Sequence, residues 1–365
     1  ALEAIEALQC VVDFAGKAPK ALYYLGNLWY DKRRYPTAIA AWERSSREDE
    51  TFPTVWRNLS LAYFNKMNRP DEAVALLEKA FRLDHTDARV LMELDQLYKR
   101  LNRPHIERLC FLEQHIDIVM TRDDLYLEYV TLLNQTGQYR EAIRRIDQRK
   151  FHPWEGGEGK VPAQYQLARL ELAKELINRK KYDDALALID ECYIYPTHLG
   201  EGKLPGAQEN DFNYYKAYIL QQQGRPEEAH SLFVKACSGN SQPAAAMYYN
   251  DQKPDKIFYQ GLAYRKLGEE EKARSRFNQL ITYGEEHLFD QFKMDYFAVS
   301  LPDLLIWEDD MDKKNRIHCN YLMALGHLGL GNRTKAEHFF DIAASMDNNH
   351  QGVQIHRKLM NTILS

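Results

Sequence analysis

Paired cysteines, long apolar runs and an excess of charge of one sign are all missing from this 365-residue chain. The five cysteines, Cys10, Cys110, Cys192, Cys237 and Cys319, are scattered without paired spacing, so we expect buried packing residues rather than a disulfide framework. No apolar run approaches the ~18 residues that predict a membrane-spanning helix. With 48 basic and 53 acidic residues the net charge is only −5, which argues against a nucleic-acid partner.

Motifs of catalysis are missing as well. The chain contains no His-Glu-x-x-His, no Gly-x-Ser-x-Gly and no dinucleotide-binding glycine motif. Glu155 and Glu158 could serve as an acid–base pair, but flexible glycines beside them argue against a preorganised site. The adjacent carboxylates at 308–310 would point to different sides of a helix, so they do not predict a metal site. We expect a chain that is not an enzyme by itself and that uses no cofactor and no metal.

What the sequence does contain is a ladder of small residues at regular intervals. An interval near ~34 residues is typical of a helix–turn–helix repeat that buries its apolar face by stacking on its neighbours. In the third repeat Glu107 takes the place of the small residue, and Asp95 replaces another small position, so this repeat is degenerate. The ladder consists of Ala38, Ala73, Glu107, Ala142, Ala185, Ala229, Ala273 and Ala336, at intervals of 35, 34, 35, 43, 44, 44 and 63 residues.

The residues around each ladder position follow one template. In the first repeat Leu22, Gly26 and Trp29 precede Ala38 and Trp42, and spacings of three and four place them on one stripe of each helix. Acidic residues or prolines such as Pro70 and Pro226 open the second helix, and glycines such as Gly137, Gly224, Gly268 and Gly331 end the first. This pattern resembles the tetratricopeptide repeat over almost the whole chain. The resemblance implies an all-α, right-handed superhelical solenoid of about eight helix pairs.

The intervals divide this solenoid into three stretches. Residues 1–150 hold repeats 1 to 4 with ordinary spacing, and residues 151–255 hold repeats 5 and 6 with glycine-rich loops. Residues 256–365 hold repeats 7 and 8 with a long insertion and a C-terminal cap. The loops at 151–162 and 195–205, here called the twin loops, share the motif Gly-Glu-Gly-Lys-apolar-Pro. Because equivalent points of adjacent repeats are neighbours along one edge, we expect the twin loops to lie side by side.

Two interpretations of the twin loops stay open. Their lysines precede valine or leucine rather than serine or threonine, which argues against a nucleotide-binding P-loop. They could be rigid turns, in which glycines adopt unusual φ values and prolines fix the next helix start. They could instead form one edge of a recognition surface for carbohydrate or for another domain. The candidate residues of that edge are His152, Trp154, Glu155, Glu158, Lys160, His198, Glu201 and Lys203.

The longest insertion, residues 295–311, separates repeats 7 and 8. Pro302 must interrupt a helix there, and the acidic run at 308–310 is placed to open or flank the next one. We expect the large apolar side chains of the insertion to cover the side of the solenoid. These side chains are Tyr296, Phe297, Leu304 and Trp307.

A closer resemblance is carried by residues 152–160, the second Gly-Glu-Gly-Lys, and residues 296–302 and 321–331 taken together. They resemble the C-terminal tetratricopeptide region of large bacterial proteins that begin with a β-sandwich domain similar to galactose-mutarotase folds, over about residues 120–350. This resemblance, with the start at Ala1 instead of methionine, implies a fragment of a larger bacterial protein. It supplies no catalytic residue and leaves the compartment open.

Two functions compete on this evidence. The first is a non-catalytic protein-interaction scaffold whose first helices line a groove for a protein or peptide, although several groove residues could simply fill a narrow interior. The second is an accessory domain of a carbohydrate-active protein, whose twin loops dock on or complete the site of a neighbouring β-sandwich domain. The groove candidates are Tyr23, Asn27, Tyr30, Arg57, Phe64, Lys174, Asn178, Tyr214, Tyr218, Phe258, Arg265 and Lys266.

Overall fold

In a computed structural model that describes residues 2–245, 251–291 and 306–360, prolines mark the starts of many helices. Pro19, Pro53, Pro70, Pro226 and Pro254 each lie in the first turn of a helix. Proline costs no hydrogen bond there, because the first N–H groups of a helix have no partner within the helix. The predicted helix starts at Pro70 and Pro226 are confirmed.

The described residues form nineteen α-helices and one 3₁₀ helix, Thr197–Leu199, and contain no β-strand. The predicted all-α class is therefore confirmed. The chain forms two compact units: unit 1 comprises Ala1–Tyr126 and Val299–Asp309, and unit 2 comprises Leu127–Ala298 and Asp310–Ser365. This division follows packing, whereas the three stretches defined above follow loop length.

Unit 1 is built from the first eight helices. They are α1 (Leu2–Phe14), α2 (Pro19–Asp31), α3 (Tyr35–Glu48), α4 (Pro53–Met67), α5 (Pro70–Leu83), α6 (Ala88–Arg100), α7 (His105–Gln114) and α8 (Ile116–Val119). The next helix, α9 (Asp123–Gln135), contains the division between the units.

Unit 2 holds the remaining helices. They are α10 (Tyr139–Asp147), α11 (Lys160–Asn178), α12 (Tyr182–Cys192), α13 (Asn210–Gln222), α14 (Pro226–Ala236), α15 (Pro254–Lys266), α16 (Glu270–His287), α17 (Met311–Gly329), α18 (Arg333–Met346) and α19 (Gln351–Leu359). Along the described chain the helices form eight successive pairs, from α2/α3 to α17/α18, with α1, α8 and α19 outside the pairs.

Small residues meet large aromatic ones inside the pairs, as the template predicts. A Cβ atom on Gly26 would lie 2.2 Å from the Trp42 indole, and one on Gly261 would lie 2.4 Å from the Phe277 ring. All seven ladder alanines are buried. Close approach of the two helix backbones therefore depends on these positions, because a buried core has no spare room for an extra methyl group.

The first helix of a pair often ends at a residue with left-handed backbone geometry. The predicted glycines have positive φ values there, for example 75° at Gly224 and 81° at Gly268. Other pairs use a non-glycine residue at the same place, including Asn68 with φ 52° and Lys180 with φ 57°. The turn geometry is thus a property of the repeat, and glycine is only its least strained solution.

The third pair differs from the prediction at Glu107. This side chain is exposed rather than buried in the ladder position, so the assignment of Glu107 to the ladder is wrong. The next residue, Arg108, faces α6 instead and forms a bidentate ion pair with Asp95, at 3.0 and 2.7 Å. Both side chains are buried, so a charge pair replaces the usual small-residue contact in this pair.

The cysteines agree with the prediction only in part. Cys192 and Cys319 are buried, Cys237 is half-buried, and Cys10 and Cys110 are exposed. Burial raises the pKa of the Cys237 thiol to about 12.

None of the helices in the described ranges combines the length and the apolar character needed to cross a membrane.

Candidate functional site

The twin loops lie against each other. The backbone N–H of Phe151 in the first loop donates to the carbonyl of His198 in the second, at 2.8 Å. The N–H of Gly159 donates to the Glu201 carboxylate at 2.7 Å. Gly200 has φ +77° and a Cβ there would lie 2.7 Å from the carbonyl oxygen of Phe151, so this contact requires glycine. The expectation that the two loops are neighbours is confirmed.

A cavity of about 280 Å³ opens between the twin loops. Val161 and Leu199, both buried, contribute apolar surface to it, and the Trp154 indole lies over Gly157. The structure brings five of the eight predicted loop residues to this cavity: His152, Trp154, Glu155, Glu158 and Glu201. An indole can stack on a sugar ring, and carboxylates beside it can accept hydrogen bonds from the hydroxyl groups of the sugar.

The carboxylates of the cavity are not equivalent. Burial raises the pKa of Glu201, the hydrogen bond from Gly159 lowers it, and the negative charge of Glu158 raises it again, with a net increase. Protonation of Glu201 would therefore begin at a higher pH than for an ordinary glutamate. As the pH falls, the cavity therefore begins to lose negative charge at a higher pH than a cavity lined by ordinary glutamates would.

The other three loop candidates do not line the cavity. Lys160 begins α11, and His198 lies with its Nε2 atom 3.7 Å from the Asp147 carboxylate. Lys203 donates to the carbonyl of Tyr193 at 2.9 Å and forms an ion pair with Glu209. The contacts of His198 and Lys203 are therefore with residues outside the cavity.

A second candidate site lies in unit 1, where residues 306–309 occupy a groove between α4 and α6. The Asn65 side chain holds the backbone of this segment at two points, donating to the carbonyl of Ile306 at 2.8 Å and accepting from the N–H of Glu308 at 2.9 Å. Arg100 donates to the carbonyl of Trp307 at 3.1 Å. Side chains of the groove thus satisfy the main chain of a segment that has no helical hydrogen bonds of its own.

Trp307 is the anchor of this segment. Its side chain is only 1 % exposed, packs edge-to-face against Phe64 at 5.2 Å between ring centres, and donates from Nε1 to the carbonyl of Glu93 at 3.1 Å. The sequence predicts only that Trp307 covers the side of the repeat array. In the structure it lies between α4 and α6, which are the first helices of two successive pairs. Tyr296, Phe297 and Leu304 lie outside the described residues.

Two basic side chains complete the groove. Lys66 on α4 forms an ion pair with Glu308, and Arg100 on α6 forms one with Asp309. The Glu308 carboxylate raises the pKa of Lys66 against the opposing effect of burial. Asp310, the last residue of the acidic run, caps α17 by accepting from the N–H of Lys313 at 2.8 Å, as the sequence predicted for this run.

Of the groove residues predicted in unit 1, Phe64 contacts Trp307 directly. Burial raises the pKa of the Tyr30 hydroxyl, the charge of Lys66 lowers it, and the charge of Glu308 raises it. Arg57 instead forms a bidentate pair with the buried Glu93 carboxylate, with both distances 2.6 Å. Asn27 accepts from the Trp42 indole at 3.1 Å, and Tyr23 packs edge-to-face on Phe52. These last three residues are half-buried and are engaged by neighbouring side chains of unit 1.

In unit 2 the structure corrects three groove candidates. Lys174, Tyr214 and Phe258 are buried, at 6 %, 2 % and 0 % exposure, and cannot contact a partner. Lys174 pairs with Glu171 at 2.5 Å; its pKa is raised because the Glu171 and Tyr215 side chains outweigh the effect of burial. The interior-filling alternative therefore holds for these positions.

Helix α19 contributes to the burial of Phe258, whereas Tyr214 is enclosed by Tyr215, Phe233 and Tyr259. His356 on α19 meets the Phe258 ring at 5.7 Å, and its Nδ1 atom lies 3.1 Å from the Tyr321 hydroxyl. Gln351 accepts from Gln164 at 2.8 Å. A C-terminal cap was predicted, but not its contact with Phe258, one of the groove candidates.

The remaining groove candidates of unit 2 lie at or near the surface. Asn178 and Lys266 are exposed, and the Lys266 ammonium lies 5.4 Å from the centre of the Tyr218 ring. Arg265 forms an ion pair with Glu270 at 3.1 Å. Of these residues, Tyr218 and Lys266 are thus in contact, and Arg265 is paired with a neighbouring carboxylate.

Sequence reasoning missed four residues that build the occupied groove. They are Asn65, Lys66, Glu93 and Arg100. The one signal that could have identified the two cations is charge complementarity with the acidic run at 308–310. Hydrogen bonds such as those of Asn65 do not recur at a fixed spacing along the sequence, so the repeat pattern could not reveal them.

Comparison with known proteins places repeats of one family within the chain. Models of the tetratricopeptide repeat match residues 53–87 and residues 257–283. These segments are the α4/α5 pair with the turn that follows it, and most of the α15/α16 pair.

Solved structures that are similar to the chain include the following two. A tetratricopeptide repeat protein from Parabacteroides merdae is 11 % identical with a TM-score of 0.44, over 94 % of this chain and 98 % of that one. YrrB, described as a tetratricopeptide repeat protein with an unusual peptide-binding site, is 15 % identical with a TM-score of 0.39, over 52 % of this chain and 91 % of YrrB.

Proposed function

We propose that this chain is a non-catalytic protein-interaction scaffold whose recognition surface is the groove between α4 and α6 of unit 1. The observation that carries the proposal is the pair of hydrogen bonds between the Asn65 side chain, which donates one and accepts the other, and the backbone around Trp307. Such contacts are made to main-chain atoms, so a peptide of another protein can form them as well. Helix-pair repeats of the kind matched at residues 53–87 are suited to present such a groove on their first helices.

The groove combines the features of an energetic hot spot. The Trp307 indole is an aromatic anchor that packs against Phe64 and is closed to solvent, and Arg100 provides both a backbone contact and a charge contact. Aromatic and arginine side chains dominate binding energy at protein interfaces because they bury large areas with specific geometry. A short extended segment can therefore bind here with useful affinity.

The proposal is tested with a phage-displayed library of random peptides selected on the intact chain. The affinity of the best peptide is then measured by isothermal titration calorimetry for Trp307→Ala, in which the segment that fills the groove has lost its anchor, and for the same protein with Asn65→Ala or Asn278→Ala added. We expect the added Asn65→Ala to weaken binding at least tenfold, because it removes two backbone hydrogen bonds. The added Asn278→Ala is the matched control at an exposed asparagine of unit 2, and it should bind like Trp307→Ala alone. Equal affinity in all three proteins would reject the groove as the recognition surface.

We propose a second role for the cavity between the twin loops, as the point at which a carbohydrate or a neighbouring domain docks. The observation in its favour is the convergence of five predicted loop residues on one cavity of about 280 Å³ with an indole beside it. In this proposal the chain belongs to a larger bacterial protein, and an N-terminal β-sandwich domain of that protein contacts the loops. The same cavity could then contribute to a site on a glycan.

A glycan array probed with the wild type, Trp154→Ala and Trp56→Ala tests the carbohydrate part of this proposal. We expect the Trp154→Ala protein to lose the glycan signals, since stacking on an indole supplies much of the contact area of a sugar ring. Trp56→Ala removes a half-buried indole of unit 1 and serves as the control. Identical signals for wild type and Trp154→Ala would remove carbohydrate from consideration.

A further inference from the structure

We infer that residues 306–309 are the resident ligand of the unit 1 groove, and that the partner of the groove presents the same chemistry and displaces them. That chemistry is an extended segment with an apolar residue, a tryptophan and two carboxylates in succession. This inference rests on the proposed scaffold function and deepens it in two respects. It states which kind of peptide binds, and it states that the free protein holds its own site closed.

The segment is bound as a peptide is bound and not as a part of the repeat core. Residues 306–310 lie outside any helix, before the start of α17. Groove side chains meet the carbonyls of Ile306 and Trp307 and the N–H of Glu308. None of these contacts requires covalent connection to the rest of the chain, so a separate segment in the same conformation satisfies the same groups.

The aromatic position selects tryptophan. The indole fills a site that is closed to solvent, and its N–H satisfies the carbonyl of Glu93, which lies inside helix α6. Phenylalanine would keep the ring contact with Phe64 but lose this hydrogen bond. A partner with tryptophan is therefore preferred over one with another aromatic residue.

The two positions that follow select negative charge. Lys66 and Arg100 project from different helices and meet consecutive carboxylates of the segment. The Glu308 side chain is still 52 % exposed, while that of Asp309 is 11 % exposed. The Arg100–Asp309 contact is consequently the more selective of the two, because solvent screens it less.

The experiment measures the fluorescence anisotropy of a fluorescein-labelled, capped peptide with the sequence Ile-Trp-Glu-Asp-Asp on the intact chain and its variants. The resident segment competes at an intramolecular effective concentration, so opening the groove raises the apparent affinity for a peptide supplied in solution. We expect Trp307→Ala to bind the peptide at least tenfold more tightly than the wild type. Adding Arg100→Glu to Trp307→Ala should reverse the gain at least tenfold.

A second variant protects the test against a folding defect at Trp307. Glu308→Lys with Asp309→Lys keeps the indole but repels Lys66 and Arg100, and it should also bind the peptide more tightly than the wild type. Glu286→Lys, at an exposed carboxylate of unit 2, is the charge control and should behave as the wild type. Circular dichroism of each variant shows that the helices are intact.

The outcomes separate this inference from the proposed function. If the peptide binds neither opened variant, or binds wild type and opened variants equally, the resident-ligand inference is overturned. If a library-selected peptide still binds in an Asn65-dependent manner in that case, the scaffold function stands without it. If no peptide binds in an Asn65-dependent manner, both are overturned.

Discussion

Phe277 in unit 2 shows how tightly single residues are specified in the helix pairs. A Cβ on Gly261 would lie 2.4 Å from this ring, and a Cβ on Gly329 would lie 2.2 Å from it. The ring itself is fully buried. Clamped between two glycines, it cannot move aside without strain, so both glycines are required by packing rather than by backbone conformation.

We expect Gly261→Ala to destabilise unit 2 by about 1–2 kcal/mol, because overpacking outweighs the gain in helix propensity. The measurement is the midpoint of chemical denaturation followed by circular dichroism. Gly16→Ala is the control, since a Cβ at Gly16 meets nothing within 4 Å. A Gly261→Ala protein as stable as the Gly16→Ala protein would show that the ring relocates freely.

His318 makes unit 2 sensitive to acid. Its Nε2 atom lies 2.7 Å from the carbonyl of Ala244, and burial lowers the pKa of the imidazole from 6.5 to about 4. Between these two pKa values the unfolded chain binds more protons than the folded one, so stability falls as the pH falls from 6.5 towards 4. The loss is at most about 1.4 kcal/mol per pH unit.

Thermal melting of the wild type and His318→Gln over this pH range checks the prediction. Burial also lowers the pKa values of His350 and His356, so some acid sensitivity should remain in the variant. We expect a visibly flatter dependence of melting temperature on pH for His318→Gln. Parallel curves for the two proteins would assign the acid sensitivity to other groups.

At the scale of elements, the pairing of helices could be predicted because every pair repeats the same small and aromatic positions. The contact inside the third pair could not be predicted, since Asp95 and Arg108 form a buried ion pair that follows no period. The same holds for α19, whose contact with Phe258 joins distant parts of the sequence. Local periodicity therefore predicts the pairs, while long-range contacts decide which faces of the pairs stay accessible.

The buried ion pair of the third helix pair makes a distinct prediction. Asp95→Ala leaves the Arg108 guanidinium buried without this carboxylate and should cost about 3–5 kcal/mol of unit 1 stability. The double variant Asp95→Leu with Arg108→Met should recover most of that loss, because well-packed apolar residues often replace a buried ion pair without penalty. Urea denaturation of the three proteins measures both effects. A double variant less stable than Asp95→Ala would contradict this account of the pair.

At the scale of the whole molecule, the part of the chain that fills the unit 1 groove comes from far along the sequence. Residues 306–309 belong to unit 1 by packing, although Asp310 and α17, which follow them directly, belong to unit 2. The long interval between ladder positions identified this insertion as unusual, and its composition drew attention to its tryptophan and its acidic residues. Neither could show that Asn65 brackets the backbone around the tryptophan, because that depends on a contact across more than two hundred residues.

The most direct measurement is amide hydrogen exchange at Glu308, with and without a saturating groove-binding peptide. Its N–H is bonded to the Asn65 side chain, so we expect slow exchange in the free protein and faster exchange in Asn65→Ala. Saturating peptide should accelerate exchange at Glu308 at least tenfold, because the resident segment has left the groove. Unchanged protection of Glu308 while the peptide is bound would contradict the account, since the partner would then bind elsewhere.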